Sequence, residues 1–186
     1  MCPRKPVPAL LLVGALSVLP LTGAQAAHAK PGPTYRQVVP TSEKASQTWK
    51  YTLKAPSADW FKPSFGEAAW KQGRGGFGTN PPGRGLLGTK WSKANIWLRR
   101  PFNPGPLTPP QISRLVLRDF HDEDIDVYIN GVRAYSARGF ITAYEYRPLS
   151  LAAKQSIRPD ATNEIAVHCH QTTGGQYIDV GIFERN

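Results

Sequence analysis

From Trp49 onward the sequence consists of short apolar runs separated by clusters of glycine and proline. The chain of 186 residues contains 17 Gly and 18 Pro, and no stretch keeps the 3.6-residue apolar period of a long helix. Short runs of β-branched and aromatic residues bounded by such breakers are typical of strands. The sequence therefore predicts an all-β sandwich.

Asn130 and Gly131 predict the sharpest local feature, a tight hairpin over residues 126–135. They lie between DVYI and VRAY, and this dipeptide readily takes the positive φ values that a two-residue turn needs. The other predicted strands are 48–53, 95–102, 114–120, 164–171 and 177–184. Residues 149–157 have a composition that favours a short helix, and the Gly-rich segment 73–88 is expected to be a long loop.

The N-terminal residues have the order of a secretory signal peptide. Arg4 and Lys5 precede an apolar run, and small residues follow it. Pro8 and Pro20 interrupt the run, which is shorter than a typical membrane-spanning helix, so we expect a secreted or periplasmic protein without a membrane span. The predicted organisation is a signal peptide over 1–26, a flexible leader over 27–46 and one domain over 47–186.

The chain is basic, with 23 Lys and Arg residues against 13 Asp and Glu residues and a formal charge of +10. Excess positive charge favours acidic partners in general. The basic residues are scattered and do not alternate with aromatic residues, as in a single-strand nucleic-acid binder. For an exported protein, we therefore expect an anionic polysaccharide or a cell envelope as the acidic partner, and no nucleic acid. A basic surface that only keeps the protein soluble is the alternative.

The predicted strand 164–171 places His168 and His170 on one face and Cys169 on the other, because side chains alternate along a strand. A His-x-His pair is a geometry that zinc and iron sites use. A site of that type would need a carboxylate a few residues later, where this chain has Gln171 and Thr172. We expect no cofactor, and a metal-dependent hydrolase that uses this face is an alternative. Cys169 is predicted to be a buried, unpaired small apolar residue.

An acidic run lies just before and within the predicted hairpin. Its members are Asp119, Asp122, Glu123, Asp124 and Asp126. Such oxygen ligands suit calcium, but Val127 and Arg133 stand where an EF-hand loop needs Gly and Glu. A structural calcium site of another kind stays open, as do arginine pairing and a catalytic carboxylate pair of the glycosidase type.

The five tryptophans are numerous for a domain of this size; they are Trp49, Trp60, Trp70, Trp91 and Trp97. Aromatic faces stack on sugar rings, while carboxylates and amides bind the hydroxyl groups. Trp49 and Trp97 are predicted to lie in the core. Trp91 is predicted to contact a ligand.

Four motifs in this order resemble the sugar-binding jelly-roll domain of glycoside hydrolase family 2, a galactose-binding-like fold. They are W-x5-W-L-R-R-x-F over 91–102, VYINGV over 127–132, the residues Gly139, Phe140 and Tyr144, and NEIAV over 163–167. The resemblance covers residues 48–185. It implies a jelly-roll β-sandwich of about eight to nine strands and a role in sugar handling.

In multidomain enzymes of that family the sandwich is usually not the catalyst, because the catalytic carboxylates lie in a separate barrel. We therefore expect a carbohydrate-binding module that binds an oligosaccharide or polysaccharide, alone or as an accessory to a larger carbohydrate-active enzyme. A small hydrolase and a structural interaction domain are the alternatives. The predicted ligand-binding residues, none of them catalytic, are Trp91, Asp122, Glu123, His168, His170, Gln171, Tyr177 and Asp179.

Overall fold

The structure, a computed structural model, describes residues 32–81, 83 and 85–186, together with Met1 and Pro3. The unit Pro33–Asn186 contains the strands and helices of this part of the chain. The predicted signal peptide and the start of the predicted leader lie almost wholly outside the described residues. No helix in the described part is long and apolar enough to cross a membrane.

Twelve strands and two short helices make up the described part of the chain. The strands are β1 Tyr35–Val39, β2 Thr48–Thr52, β3 Lys71–Arg74, β4 Phe77–Gly78, β5 Thr89–Lys90, β6 Asn95–Phe102, β7 Leu115–Asp122, β8 Asp124–Ile129, β9 Val132–Ala137, β10 Glu145–Pro148, β11 Asn163–His170 and β12 Tyr177–Arg185. The helices are α1 Pro109–Ser113 and α2 Leu151–Ser156.

The strands form two six-stranded sheets. Sheet A has the order β10-β7-β12-β4-β5, with β1 also paired to β12, and sheet B has the order β3-β2-β6-β11-β8-β9. Neighbouring strands are antiparallel, apart from the short parallel pair β4 and β5. The arrangement confirms the predicted all-β jelly-roll sandwich.

The main core lies between the two sheets. On β11, Ile165, Val167 and Cys169 are fully buried, and they share one apolar cluster with Ile178 of β12. Trp49 of β2 belongs to the same cluster, as predicted. Alternation along β11 and β12 therefore turns the intervening polar side chains toward the two outer faces of the sandwich.

The predicted strands and the hairpin are confirmed to within one or two residues at their ends. Asn130 and Gly131 join β8 to β9 with φ values of 50° and 82°. The predicted helix 149–157 is present in its central part as α2.

Two predictions about irregular segments need correction. The leader predicted over 27–46 is not free of structure, because β1 pairs with β12 and Ser42 is fully buried. The polar composition of the surrounding segment hid this short strand, although Val39 lies in the main core and Tyr35 stacks on Tyr146. The predicted loop 73–88 likewise contains the end of β3 and all of β4.

A second, smaller apolar cluster covers part of the outer face of sheet B. Trp60 and Trp70, from the segment between β2 and β3, pack there against Ala166 of β11. Arg99 of β6 holds this covering segment: its guanidinium donates to the carbonyl oxygens of Trp60 at 2.5 Å and Lys62 at 3.1 Å. Arg99 is only 2 % exposed and also pairs with Glu67.

Candidate functional site

The structure distributes the eight predicted ligand residues over four places: the core, the outer face of each sheet and one end of the sandwich. Trp91 lies in the main core and is 1 % exposed. This corrects the prediction that Trp91 contacts a ligand, since it presents no surface to solvent. Trp91 lies between β5 of sheet A and β6 of sheet B, where the chain crosses from one sheet to the other. Neither composition nor spacing predicted this crossing.

Tyr177 and Asp179 project from β12 on the outer face of sheet A, where the chain covers them. Asp179 is 3 % exposed, and its Oδ2 accepts hydrogen bonds from the backbone N–H of Ser42 at 2.6 Å and from the Tyr144 hydroxyl at 2.8 Å. The Tyr177 hydroxyl donates to the carbonyl oxygen of Leu86 at 3.0 Å. Both side chains thus hold other segments onto the sheet.

Burial dominates the electrostatics of this network. It raises the pKa of Asp179 to about 7 and raises the pKa of Tyr144 far above its ordinary value. The other carboxylate oxygen of Asp179, Oδ1, is buried and has no hydrogen-bond partner among the described residues. The neutral acid is therefore favoured here to a degree that is unusual for an aspartate.

Asp122, Glu123 and Gln171 lie at the end of the sandwich where the chain passes between the sheets. Glu123 accepts a hydrogen bond from the backbone N–H of Thr172 at 2.7 Å, and Gln171 donates to the carbonyl oxygen of Gly175 at 2.8 Å. These two side chains shape the loop between β11 and β12. Asp122 is half-buried, and burial together with the nearby Glu123 raises its pKa.

His168 and His170 point to the outer face of sheet B, as predicted from the alternation of β11. His168 Nε2 lies 2.8 Å and His170 Nδ1 lies 3.0 Å from the same atom, Oδ1 of Asn95 on β6. An amide oxygen only accepts hydrogen bonds, so each imidazole donates an N–H to it. Burial lowers the pKa of His168, which keeps this ring neutral at neutral pH.

The Asn95 amide thus presents its oxygen to the two imidazoles. Its Nδ2 group, in contrast, has no hydrogen-bond partner among the described residues. Nδ2 is also absent from the fully buried side-chain atoms that lack a partner there. Asn95 therefore offers amide N–H donors next to the imidazoles.

Trp97 lies beside this group on the outer face of sheet B. It is half-buried and stacks on His168, with ring centroids 4.7 Å apart and planes inclined by 14°. The prediction that Trp97 is a core residue is corrected, because its side chain lies on the opposite face of β6 from Ile96 and Leu98 of the main core.

A cleft of about 490 Å³ opens next to Trp97 and Asn95. Its lining residues are Leu53, Lys54, Ala55, Lys93, Ala94, Asn95 and Trp97. Strand β6, which carries Trp97, lies between β2 and β11. His168 of β11 stacks on the indole from one side, and Leu53 and its neighbours, which follow β2, lie on the other side. The sandwich-end residue Gln171 supports the cleft, since its backbone N–H donates to the carbonyl oxygen of Ala94 at 2.7 Å.

The structure thus joins the predicted His168 and His170 to residues that sequence reasoning had not selected. Asn95 is the first residue of β6, Lys54 follows β2 and Lys93 precedes β6, and no motif singled them out. The spacing Asn95-x-Trp97 on a strand was the one available signal, because it places both side chains on one face.

No group of three or more His, Cys, Asp or Glu side chains in the described residues is arranged to hold a metal ion. The acidic run is divided instead among several contacts. Asp119 pairs with His121 in the core at 2.5 Å, and Asp126 accepts from Ser136 at 2.7 Å. The calcium and His-x-His metal hypotheses therefore find no set of ligands here.

No protein-family model matches this chain, and no curated protein matches its sequence. Solved structures do match. Bacteroides uniformis β-glucuronidase 2 is similar over 82 % of this chain and 18 % of its own, with a TM-score of 0.54 and 14 % identity. A β-glucuronidase from glycoside hydrolase family 2 is similar over 83 % of this chain and 18 % of its own, with a TM-score of 0.50 and 15 % identity.

A Ruminococcus gnavus β-glucuronidase, solved in complex with D-glucuronic acid, is similar over 82 % of this chain and 29 % of its own, with a TM-score of 0.52 and 11 % identity. The chain thus spans less than a third of the length of these enzymes. At such low identity the likeness establishes the fold. The resemblance to the family 2 sandwich domain is confirmed at that level.

Proposed function

We propose that this protein is a secreted or periplasmic carbohydrate-binding module, and that it binds an oligosaccharide or polysaccharide in the cleft beside Trp97. The observation that carries the proposal is the pairing of an indole with an amide that two imidazoles hold in place. An aromatic face suits the C–H surface of a sugar ring, and a fixed amide suits its hydroxyl groups. The site is largely formed in advance, which reduces the entropy cost of binding.

The lining of the cleft supports binding rather than hydrolysis. Glycoside hydrolysis needs two carboxyl groups on either side of the scissile bond. The residues that line the cleft include no Asp or Glu. The nearest acidic side chains in register, Asp124 and Asp126 of β8, lie beyond β11 and face Arg138.

We further propose that the module serves a larger carbohydrate-active enzyme. Its fold occurs in β-glucuronidases whose chains are several times longer than this sandwich. The signal-peptide pattern at the N-terminus supports a location outside the cytoplasm, where polysaccharides are abundant.

Binding to a glycan array by the parent protein and by Trp97→Ala tests the proposal. We expect Trp97→Ala to weaken binding by about 1–2 kcal/mol, or roughly five- to thirtyfold, because it removes the stacking surface. Phe140→Ala is the matched control, since it removes an aromatic side chain that is exposed and does not line the cleft.

Three results would contradict the proposal. These are no binding to any glycan on the array, unchanged binding by Trp97→Ala, and steady release of reducing sugar by the purified parent protein. The first two reject the site, and the third rejects its non-catalytic role.

A further inference from the structure

Two lysines stand at the cleft beside Trp97. Lys54 and Lys93 are exposed and line it, one after β2 and the other just before β6. Neither forms an ion pair with any residue that the structure describes, where the ion pairs use arginine or histidine as the cation. Both ammonium groups are therefore available to a ligand.

Local contacts fix the backbone at both lysines. The N–H of Lys54 donates to the Thr52 hydroxyl at 3.1 Å, and that hydroxyl donates to the Lys54 carbonyl oxygen at 3.2 Å. The carbonyl oxygen of Lys93 accepts from the Gln176 side chain, which is buried, at 3.1 Å. The two charges are thus attached to backbone positions that local hydrogen bonds hold at the cleft.

The described residues that line the cleft carry two positive charges and no negative charge. Asp124 and Asp126 lie 3.8 Å and 3.4 Å from Arg138, whose single positive charge offsets part of theirs. Glu123 is held by Thr172. These three acidic groups are therefore engaged by other residues, while the two lysines are not.

We propose that the ligand is an acidic saccharide, whose carboxylate or sulfate group binds between Lys54 and Lys93 while its ring packs on Trp97. The amide N–H of Asn95 donates to a ring hydroxyl in this arrangement. The inference rests on the proposed carbohydrate-binding function and adds the chemical class of the ligand. Uronates carry a carboxylate and sulfated sugars carry a sulfate, so both classes supply the required negative charge.

Paired probes that differ in charge alone test this inference. Calorimetry compares tetragalacturonate with its methyl ester, and a heparan sulfate hexasaccharide with its desulfated form. We expect an acidic probe that binds to have an affinity about three- to tenfold higher than that of its neutral or desulfated form. High salt should remove this difference in affinity. The first pair reports on carboxylates and the second on sulfates.

The variant Lys54→Gln/Lys93→Gln should remove the preference while keeping the weaker binding of the neutral probe. Lys62→Gln/Lys71→Gln is the matched control, since it removes two exposed lysines that do not line the cleft. Circular dichroism and the melting temperature of each variant check that the fold is intact.

Equal affinity for the acidic and neutral probes overturns the inference but leaves the proposed function standing. So does a preference that survives Lys54→Gln/Lys93→Gln. Absence of binding to every glycan rejects both. Tighter binding of oligo-dT than of any acidic saccharide, lost in Trp97→Ala, would assign the cleft to single-stranded nucleic acid and overturn the inference as well.

Discussion

The two outer faces of the sandwich carry similar residues but differ in access. On sheet A, Asp179 and Tyr177 are covered by other segments and bond to Ser42 and Leu86. On sheet B, Asn95 is held by imidazoles and borders an open cleft. Polar and aromatic residues at strand ends can therefore either fasten the fold or form a site, and the segments that pack over them decide which.

The largest expected effect is on the covered face. Asp179→Ala leaves the N–H of Ser42 and the hydroxyl of Tyr144 without their acceptor, so we expect the free energy of unfolding to fall by about 2–4 kcal/mol. Glycan affinity should not change, because Asp179 is not part of the cleft beside Trp97. Urea denaturation and calorimetry measure the two quantities.

Asp59→Ala is the control for this change, since Asp59 is exposed and bonds only to the nearby Ser57. A stable Asp179→Ala protein with weakened glycan binding would reverse the comparison. It would show that the ligand binds on sheet A.

The second prediction concerns pH. The folded pKa of Asp179, about 7, lies above its ordinary value of 3.8, so the folded state holds the proton more tightly than the unfolded state. This contribution to stability is fully present below about pH 4 and is lost as the pH rises through about 7. Asp179→Asn should therefore flatten the fall in stability between pH 4 and 7, by up to about 1.4 kcal/mol per pH unit.

Glu164 provides the counterpart on sheet B, because burial raises its pKa to about 7 as well, against the opposing effect of Arg99. Glu164→Gln should flatten the same part of the profile independently. If neither variant changes the slope, burial does not control ionisation on either face. Asp59→Asn serves again as the exposed control.

The smallest expected effect concerns the contact between Asn95 and the imidazoles on the outer face of sheet B. Asn95→Asp places a carboxylate against both imidazoles and should raise the pKa of His168, which burial lowers in the parent. NMR titration of the imidazole protons measures this change. The added negative charge should also weaken binding of an acidic glycan by about three- to fivefold.

Asn103→Asp is the control, because Asn103 lies in an exposed loop and bonds to the backbone of Gly105. An unchanged His168 titration in Asn95→Asp would show that the imidazoles do not donate to residue 95. The proposed orientation of its amide would then fail.

Sequence reasoning correctly predicted the elements whose side chains form a clear local pattern. Alternation along β11 correctly separated Cys169 from His168, and the Asn130-Gly131 pair correctly located the β8–β9 turn. It missed β1, since this five-residue strand lies in a segment rich in polar residues and places one residue, Val39, fully in the core. It also combined His168 with Asp179, because alternation gives the face of a strand but not the sheet to which the strand belongs. Trp91 was misplaced for a related reason, since nothing local indicates that a residue between strands is buried.

The position of β12 has a consequence for how the chain acquires its structure. This last strand of the sandwich lies inside sheet A, where it pairs with β7, β4 and β1. During synthesis, β1 emerges long before its partner, so sheet A cannot close until β12 has left the ribosome. Sheet B, whose hairpin β8–β9 joins neighbours in sequence, can begin earlier. We expect sheet A to expose an incomplete edge until β12 is available, which favours binding of a chaperone that recognises extended segments.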